Sequence, residues 1–412
     1  MRFKLLAIAA VATAIAACSG PARQPTQSCG SSKPRCAPTR GGAGEGIAPQ
    51  PAEAAILDWR HEQSIERGVA FLLQSQNNNG SWGAALPERP GDIYTGGVNS
   101  FHAFGNASSA LCCMALSMQP SSEMLDVALV RGYRFLIDAP DAVRVSGDTF
   151  YNSWAQAYML EALSRGLADQ RLAELHTRMR KRAVFEMARL FKIQSLDGGF
   201  GYYDFGWDLV KPTGEISTPM TTSAALVGLQ AAKNAGLEVP EHEVKCALDY
   251  MERMRVPNGA YLYSTGHMYH PLGTASVIRG SLGRSQAGNC ALGEWARLLK
   301  PENIQSGLDT FFKEHIFIEI GRCRQYPHEA WYATAPYYYY FGHYYASRNL
   351  DLLEPACRPG YAGKLAEFVS ASQFDDGSFW DYPLFGYTKA YGTGFGVMIM
   401  SHCRKHLQLT PK

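Results

Sequence analysis

Residues 67–83 read RGVAFLLQSQNNNGSWG. An apolar helical run (Val69, Phe71, Leu72, Leu73) stops at Gln76, three asparagines and Gly80, and Trp82 follows. The pattern returns in ARLFKIQSLDGGF (188–200), in DYMERMRVPNGAY (249–261), where Arg255 stands in for Gln, and in EFVSASQFDDGSF (367–379). The first glycines of these turns fall at 80, 198, 259 and 377, so their separations are 118, 61 and 118. RGYRFLID (131–138) and LDTFFKEH (308–315) resemble the motif without its turn and fill the two long gaps. Six copies at a near-constant period mark a repeat architecture.

Each copy carries a second apolar segment after its turn: 100–118, 148–167, 221–237, 276–299, 335–350 and 392–406. These are rich in Gly, Ala, Ser and aromatics and poor in charge, so they predict helices buried on every side. The first-type helices, such as RLAELHTRMRKRAVFEMARL (171–190), carry charge along one face. Six buried helices inside six amphipathic ones account for both compositions.

Arg67-Gly68, Phe71-Leu72, Gln76 and Gly80-x-Trp82 resemble the QW motif of squalene–hopene cyclases and the related prenyltransferase repeats. The resemblance covers about 56–406 and implies an all-α fold, a six-hairpin (α/α)6 toroid of the terpenoid cyclase/protein prenyltransferase type. In that family the Gln caps backbone groups at a helix end and the aromatic stacks on it. The family's chemistry does not transfer residue by residue. No acidic D-x-D-D stretch occurs; the matching segment reads GEISTPMTTSAAL, with Glu215 its sole acid. The last repeat reads KAYGTGFGVMIM where a zinc-dependent transferase needs Asp, Cys and His, and no GCGEQ-like thioester stretch is present. No metal and no cofactor is expected.

The chain opens with Arg2 and Lys4, a stretch of 13 mostly apolar residues from Leu5 to Ala17, and Ile15-Ala16-Ala17-Cys18. Such a stretch is too short to span a bilayer and reads as an export signal. Its end resembles a bacterial lipobox, which implies lipidation of Cys18 and, with Ser19 next, an outer-membrane anchor facing the periplasm. The domain reading is a signal at 1–17, a Gly/Pro/Ser-rich tether at 18–55 and the toroid at 56–412. Cys29 and Cys36 lie in the tether; seven further cysteines are scattered among apolar residues without zinc spacing. Without the signal the chain has 37 basic and 37 acidic residues, a balance that disfavours nucleic acid as a partner.

In a six-hairpin toroid the long outer-to-inner links (76–98, 195–217, 256–273, 316–334, 374–391) all fall at one end. They carry many aromatics and histidines, among them Tyr202, Tyr263 and His267. Polar residues on the inner helices are expected to converge beneath them: His343, Tyr340, His102 and Arg284 as catalytic groups, Asn152 and Arg279 as ligand-binding groups. His328 and Glu329 from the loops complete the ligand-binding set. The function this points to is a membrane-anchored extracytoplasmic toroid that binds, and with an unrecognised acid would transform, an isoprenoid-like or other apolar molecule. Two alternatives stand beside it. One is a carbohydrate-active lyase using Tyr, His, Arg and Asn on a glycan; the other is a non-catalytic binding or assembly lipoprotein.

Overall fold

Each sequence repeat becomes one helical hairpin in the computed structural model, which describes residues 59–84, 98–142, 152–202, 217–269, 273–296 and 299–407. The signal, the tether and Cys18 lie outside the described residues. The outer helices are α1 (Trp59–Gln74), α3 (Glu123–Asp138), α5 (His176–Ile193), α7 (Glu241–Met254), α9 (Pro301–Lys313) and α11 (Arg358–Ala371). The inner ones are α2 (Val98–Ser117), α4 (Ser153–Gly166), α6 (Pro219–Asn234), α8 (Leu282–Glu294), α10 (Tyr338–Asn349) and α12 (Tyr387–His406). Inner helices pack in the cyclic order α2, α4, α6, α8, α10, α12 and back to α2, and α12 and α11 also pack on α1. The ring is closed. Among the described residues there are no strands, only isolated bridges, so the architecture is an all-α six-hairpin toroid.

The turn motif holds neighbouring hairpins together. Gln76 Nε2 donates to Gly80 O (3.0 Å) and to Ala128 O of the next outer helix (2.9 Å). Gln194 repeats this with Gly198 O and Glu243 O, and Gln373 with Gly377 O and Ser64 O, closing the last repeat on the first. A net contribution of about 1 kcal/mol per bond is the usual scale. The aromatic completes the joint: Trp82 is buried, and its Nε1 donates to Leu72 O at 2.7 Å. Its backbone N–H donates to Ser109 on α2, as those of Phe200 and Phe379 do to Thr222 and Thr393. Gly80, Gly198, Gly259 and Gly377 all adopt φ between 86° and 91°, a conformation costly for any side chain.

The inner ring is packed by small residues. A Cβ on Gly228 of α6 would lie 2.8 Å from Ala157 O of α4, and one on Gly342 of α10 would lie 2.8 Å from the Gly283 Cα of α8. Local signals start the helices as expected: Thr218 caps α6 with Pro219 at its first position, and Ser122 caps α3. The fourth inner helix is shorter than its expected segment, 276–299. It begins at Leu282, because 274–280 form two 3-10 turns that end at Gly280, a poor helix former. Arg279 is therefore in a turn and off the helix it was expected to share with Gln286. Of the seven described cysteines, four are buried and Cys246, Cys323 and Cys357 are half-buried. No described helix is long and apolar enough to cross a membrane.

Candidate functional site

The axis of the ring is occupied by side chains. α4 and α10 stand opposite each other, yet Trp154 of α4 meets Phe341 of α10 edge to face at 6.0 Å between centroids. Tyr158 meets Phe395 of α12 in the same way at 5.9 Å. Below them lies a charged floor. Glu161, fully buried, accepts from Arg165 Nε (3.0 Å), Tyr344 OH (3.1 Å) and Arg348 Nη1 (2.5 Å). Arg348 Nη2 reaches Glu294 of α8 at 2.5 Å. The carboxylates offset the cost of burying this guanidinium and raise its pKa, against burial, which lowers it.

The six inner-segment residues expected to converge do not meet in one cavity. His343 turns outward to the seam with α9, where its Nδ1–H donates to Tyr339 O (2.7 Å) and its Nε2 lies 3.0 Å from His315 Nε2. Since a carbonyl only accepts, His343 Nε2 is the acceptor and His315 the donor. Burial holds both imidazoles near a pKa of about 3, so the pair is neutral. Tyr340 points to the sixth turn, its OH 3.0 Å from Ser372 Oγ. Asn152 and Gln156 both donate to Ala142 O, pinning the second-repeat connection. Arg279 pairs with Glu314 (2.7 Å) and donates to Tyr332 OH (3.0 Å) at the rim. His102 and Glu329 are exposed at the loop end. The polar stripe on α2 is likewise structural: Asn106 holds Pro140 O, and Ser109 holds the first turn.

Arg284 behaves differently. It is 3% exposed, and its Nε and Nη2 donate to Tyr261 O (3.3 Å each) and Nη2 also to Ala275 O. No described carboxylate lies within ion-pair distance. Its Nη1 makes no hydrogen bond with a described residue. Tyr263 lies beneath the guanidinium at 5.2 Å, and the Tyr338, Tyr202 and Tyr250 hydroxyls are near enough to act on its charge. Burial lowers its pKa, which for a guanidinium leaves the charge intact.

The groups around Arg284 form a chain. Tyr202 OH and Tyr263 OH are 3.2 Å apart; Tyr263 packs against His267, whose Nδ1 lies 2.9 Å from Ser276 Oγ. From the fifth repeat comes His328. Its Nδ1–H donates to Ala333 O (2.8 Å), Tyr337 OH lies 3.4 Å from its Nε2, and the residue is exposed. Desolvation along the loop wall, opposed by the Ala333 bond and aided by the Arg284 charge, lowers its pKa. This loop is strained: Cys323, His328, Tyr332 and Ala333 have φ between 54° and 64°. Tyr202, Tyr263 and His267 are legible in the sequence as loop aromatics and histidine, but nothing in their spacing says that they share a wall with Arg284. A buried acid also went unread. Asp381 accepts from Tyr391 OH (2.8 Å) and from the Tyr340 N–H, and burial raises its pKa to about 7. The loop residues Tyr94, Tyr203, Trp207 and His270 lie outside the described residues. Among the described residues no group of three or more His, Cys, Asp or Glu could hold a metal.

No family model matches the chain, and no curated protein matches it. Solved structures do. Type II terpene cyclase MstE from Scytonema, in complex with merosterolic acid A, is 13% identical with a TM-score of 0.49, over 84% of this chain and 98% of that one. A polysaccharide lyase is 11% identical (TM-score 0.46; 84% and 97% covered), and a protein from Actinoplanes is 13% identical (TM-score 0.46; 84% and 100%). These are likenesses of fold.

Proposed function

We propose that this protein is a lipid-anchored extracytoplasmic toroid that binds an acidic glycan at the loop end of its ring and cleaves it by β-elimination. One observation carries the reading: Arg284 is a buried cation without a described carboxylate, beside a Tyr202–Tyr263–His267 chain. A buried charge needs a partner or solvent, and a planar guanidinium suits a carboxylate. A uronate would supply it. Arg284 would neutralise the sugar carboxylate and so acidify the neighbouring C5–H. His267 takes that proton, the C4–O bond breaks as C4=C5 forms, and a Tyr263 hydroxyl protonates the leaving oxygen. His328, His102 and Glu329 stand at the rim, where further sugar units would pass. An apolar ligand within the ring is disfavoured by the rings that already meet across its axis. The anchor at Cys18 and the outer-membrane location belong to the same proposal.

The test is to incubate the mature chain with polygalacturonate and other uronate polymers and follow the ultraviolet absorbance of the unsaturated product. Product formation that disappears in Arg284→Met supports the reading. Binding without product would leave a non-catalytic binding lipoprotein, and neither binding nor product would overturn the proposal.

A further inference from the structure

The six seams between neighbouring hairpins are not alike. Where the first, third and sixth turns dock on the next outer helix, the glycine lies against backbone. A Cβ on Gly80, Gly198 or Gly377 would come within 2.4, 2.3 and 2.5 Å of the carbonyl oxygens of Arg131, Cys246 and Arg67. At the fourth turn the nearest atom to such a Cβ on Gly259 is Arg255 Nη2, at 3.9 Å. This is also the repeat in which Arg255 replaces the Gln that draws the other turns onto their neighbours. The seam stays open as a cleft of about 150 Å³ between this turn, α8 and α9.

The lining is polar: Arg255, Ser285, Asn289, Asn303, Ser306 and Thr310. Two of its groups lack the partners such groups normally have. Arg255 makes no ion pair with a described residue; its guanidinium lies against the Tyr261 hydroxyl, and its Nε is buried without an acceptor. Asn289, 2% exposed, uses its Oδ1 to accept from Tyr261 OH, while its Nδ2 makes no hydrogen bond with a described residue and abuts Gly307 at the cleft wall, where an added Cβ would lie 2.4 Å away. A buried N–H left unpaired, as Arg255 Nε is, costs about 1–3 kcal/mol, so the site is built to be filled.

We propose that this seam binds one small hydroxylated anion, a monomeric sugar acid, with Arg255 on its carboxylate and the amides and hydroxyls of α8 and α9 on its hydroxyls. The volume is roughly that of five waters, which admits a single sugar ring and excludes a polymer. One cation among neutral donors and acceptors matches one carboxylate among hydroxyls. A phosphate dianion would call for more positive charge. The inference stands on the open fourth seam and does not depend on the loop-end site, which faces the opposite side of α8.

The experiment is calorimetric titration of the full mature chain with galacturonate, with galactose and inorganic phosphate as comparators. Saturable one-site binding of galacturonate is expected, weakened at least about tenfold, or 1.4 kcal/mol, in Arg255→Gln. That variant restores the residue of the other turns and should fold at least as well as the wild type. Thr310→Val on the facing wall gives a second test should Arg255→Gln not fold, and the same weakening is expected. The titrations are made in the Arg284→Met background, so that the loop-end site, itself proposed for uronates, adds nothing to the isotherm. No saturable binding, equal binding by Arg255→Gln, or galactose or phosphate binding as tightly as galacturonate would each overturn the proposal.

Discussion

Two arginines on neighbouring inner helices, one buried and one nearly so, have opposite surroundings. Arg348, at the floor of the ring, sits between Glu161 and Glu294. Arg284, at the loop end, has backbone carbonyls and tyrosine rings around it and no described carboxylate. The first charge is neutralised inside the fold and ties α10 to α4 and α8. The second is solvated by dipoles and retains an unmet demand for an anion. Burial alone marks neither as functional; the distinction lies in whether the chain itself supplies the counter-charge.

The largest effect should come from breaking the compensated end. Arg348→Met leaves half-buried Glu294 without its cation and buried Glu161 with Arg165 alone, and the expected loss is about 3–5 kcal/mol in denaturant unfolding. A loss below about 1 kcal/mol would mean that water reaches the floor and that the two ends are less different than described. Next in size is His343→Ala, which removes the His315–His343 bond at the α9–α10 seam. A decrease of about 2–3 kcal/mol is expected from the cavity and the orphaned donor. Glycan binding at the loop end should be unchanged; lost binding with intact stability would return His343 to the functional set.

A smaller, pH-dependent effect sharpens the same contrast. His315, His343 and His402 are each held at a pKa of about 3 by burial, below the ordinary 6.5. Their contribution is fully present above 6.5 and is lost as pH falls toward 3, because the unfolded chain binds protons that the native state refuses. Asp381 works in the other direction: its pKa of about 7 lies above the ordinary 3.8, so its contribution is lost as pH rises between these values. Asp381→Asn should therefore gain stability relative to wild type as pH climbs from 4 to 7 in thermal melts. A constant difference across that range would show that the carboxyl ionises freely in the native state.

The fold was legible because its determinants are local and repeated. A Gln, a glycine with positive φ and an aromatic at fixed offsets recur, and their period counts the hairpins even where two turns have eroded. The site was less legible because it is made from residues whose meeting depends on the ring. Periodicity places His343 and Tyr340 on an inner helix, but which faces look toward the axis is set by crossing angles and by where small residues such as Gly283 and Gly342 let helices touch. Inner-helix polar groups read as a lining proved to be fasteners: Asn152 ties the connection of its own hairpin, Tyr340 the sixth turn and His343 the seam with α9. Arg284 was recognisable as an anomaly in an apolar helix. Its tyrosine surroundings, drawn from two loops and two helices, were not.

The most direct test of the account is one variant, Arg284→Met, measured twice. Denaturant unfolding should show a loss of no more than about 2 kcal/mol, the scale of the carbonyl bonds it gives up. Binding of polygalacturonate should fall at least about tenfold. A loss as large as that of Arg348→Met, with polygalacturonate bound as tightly as by the wild type, would contradict the assignment of Arg284 to a ligand.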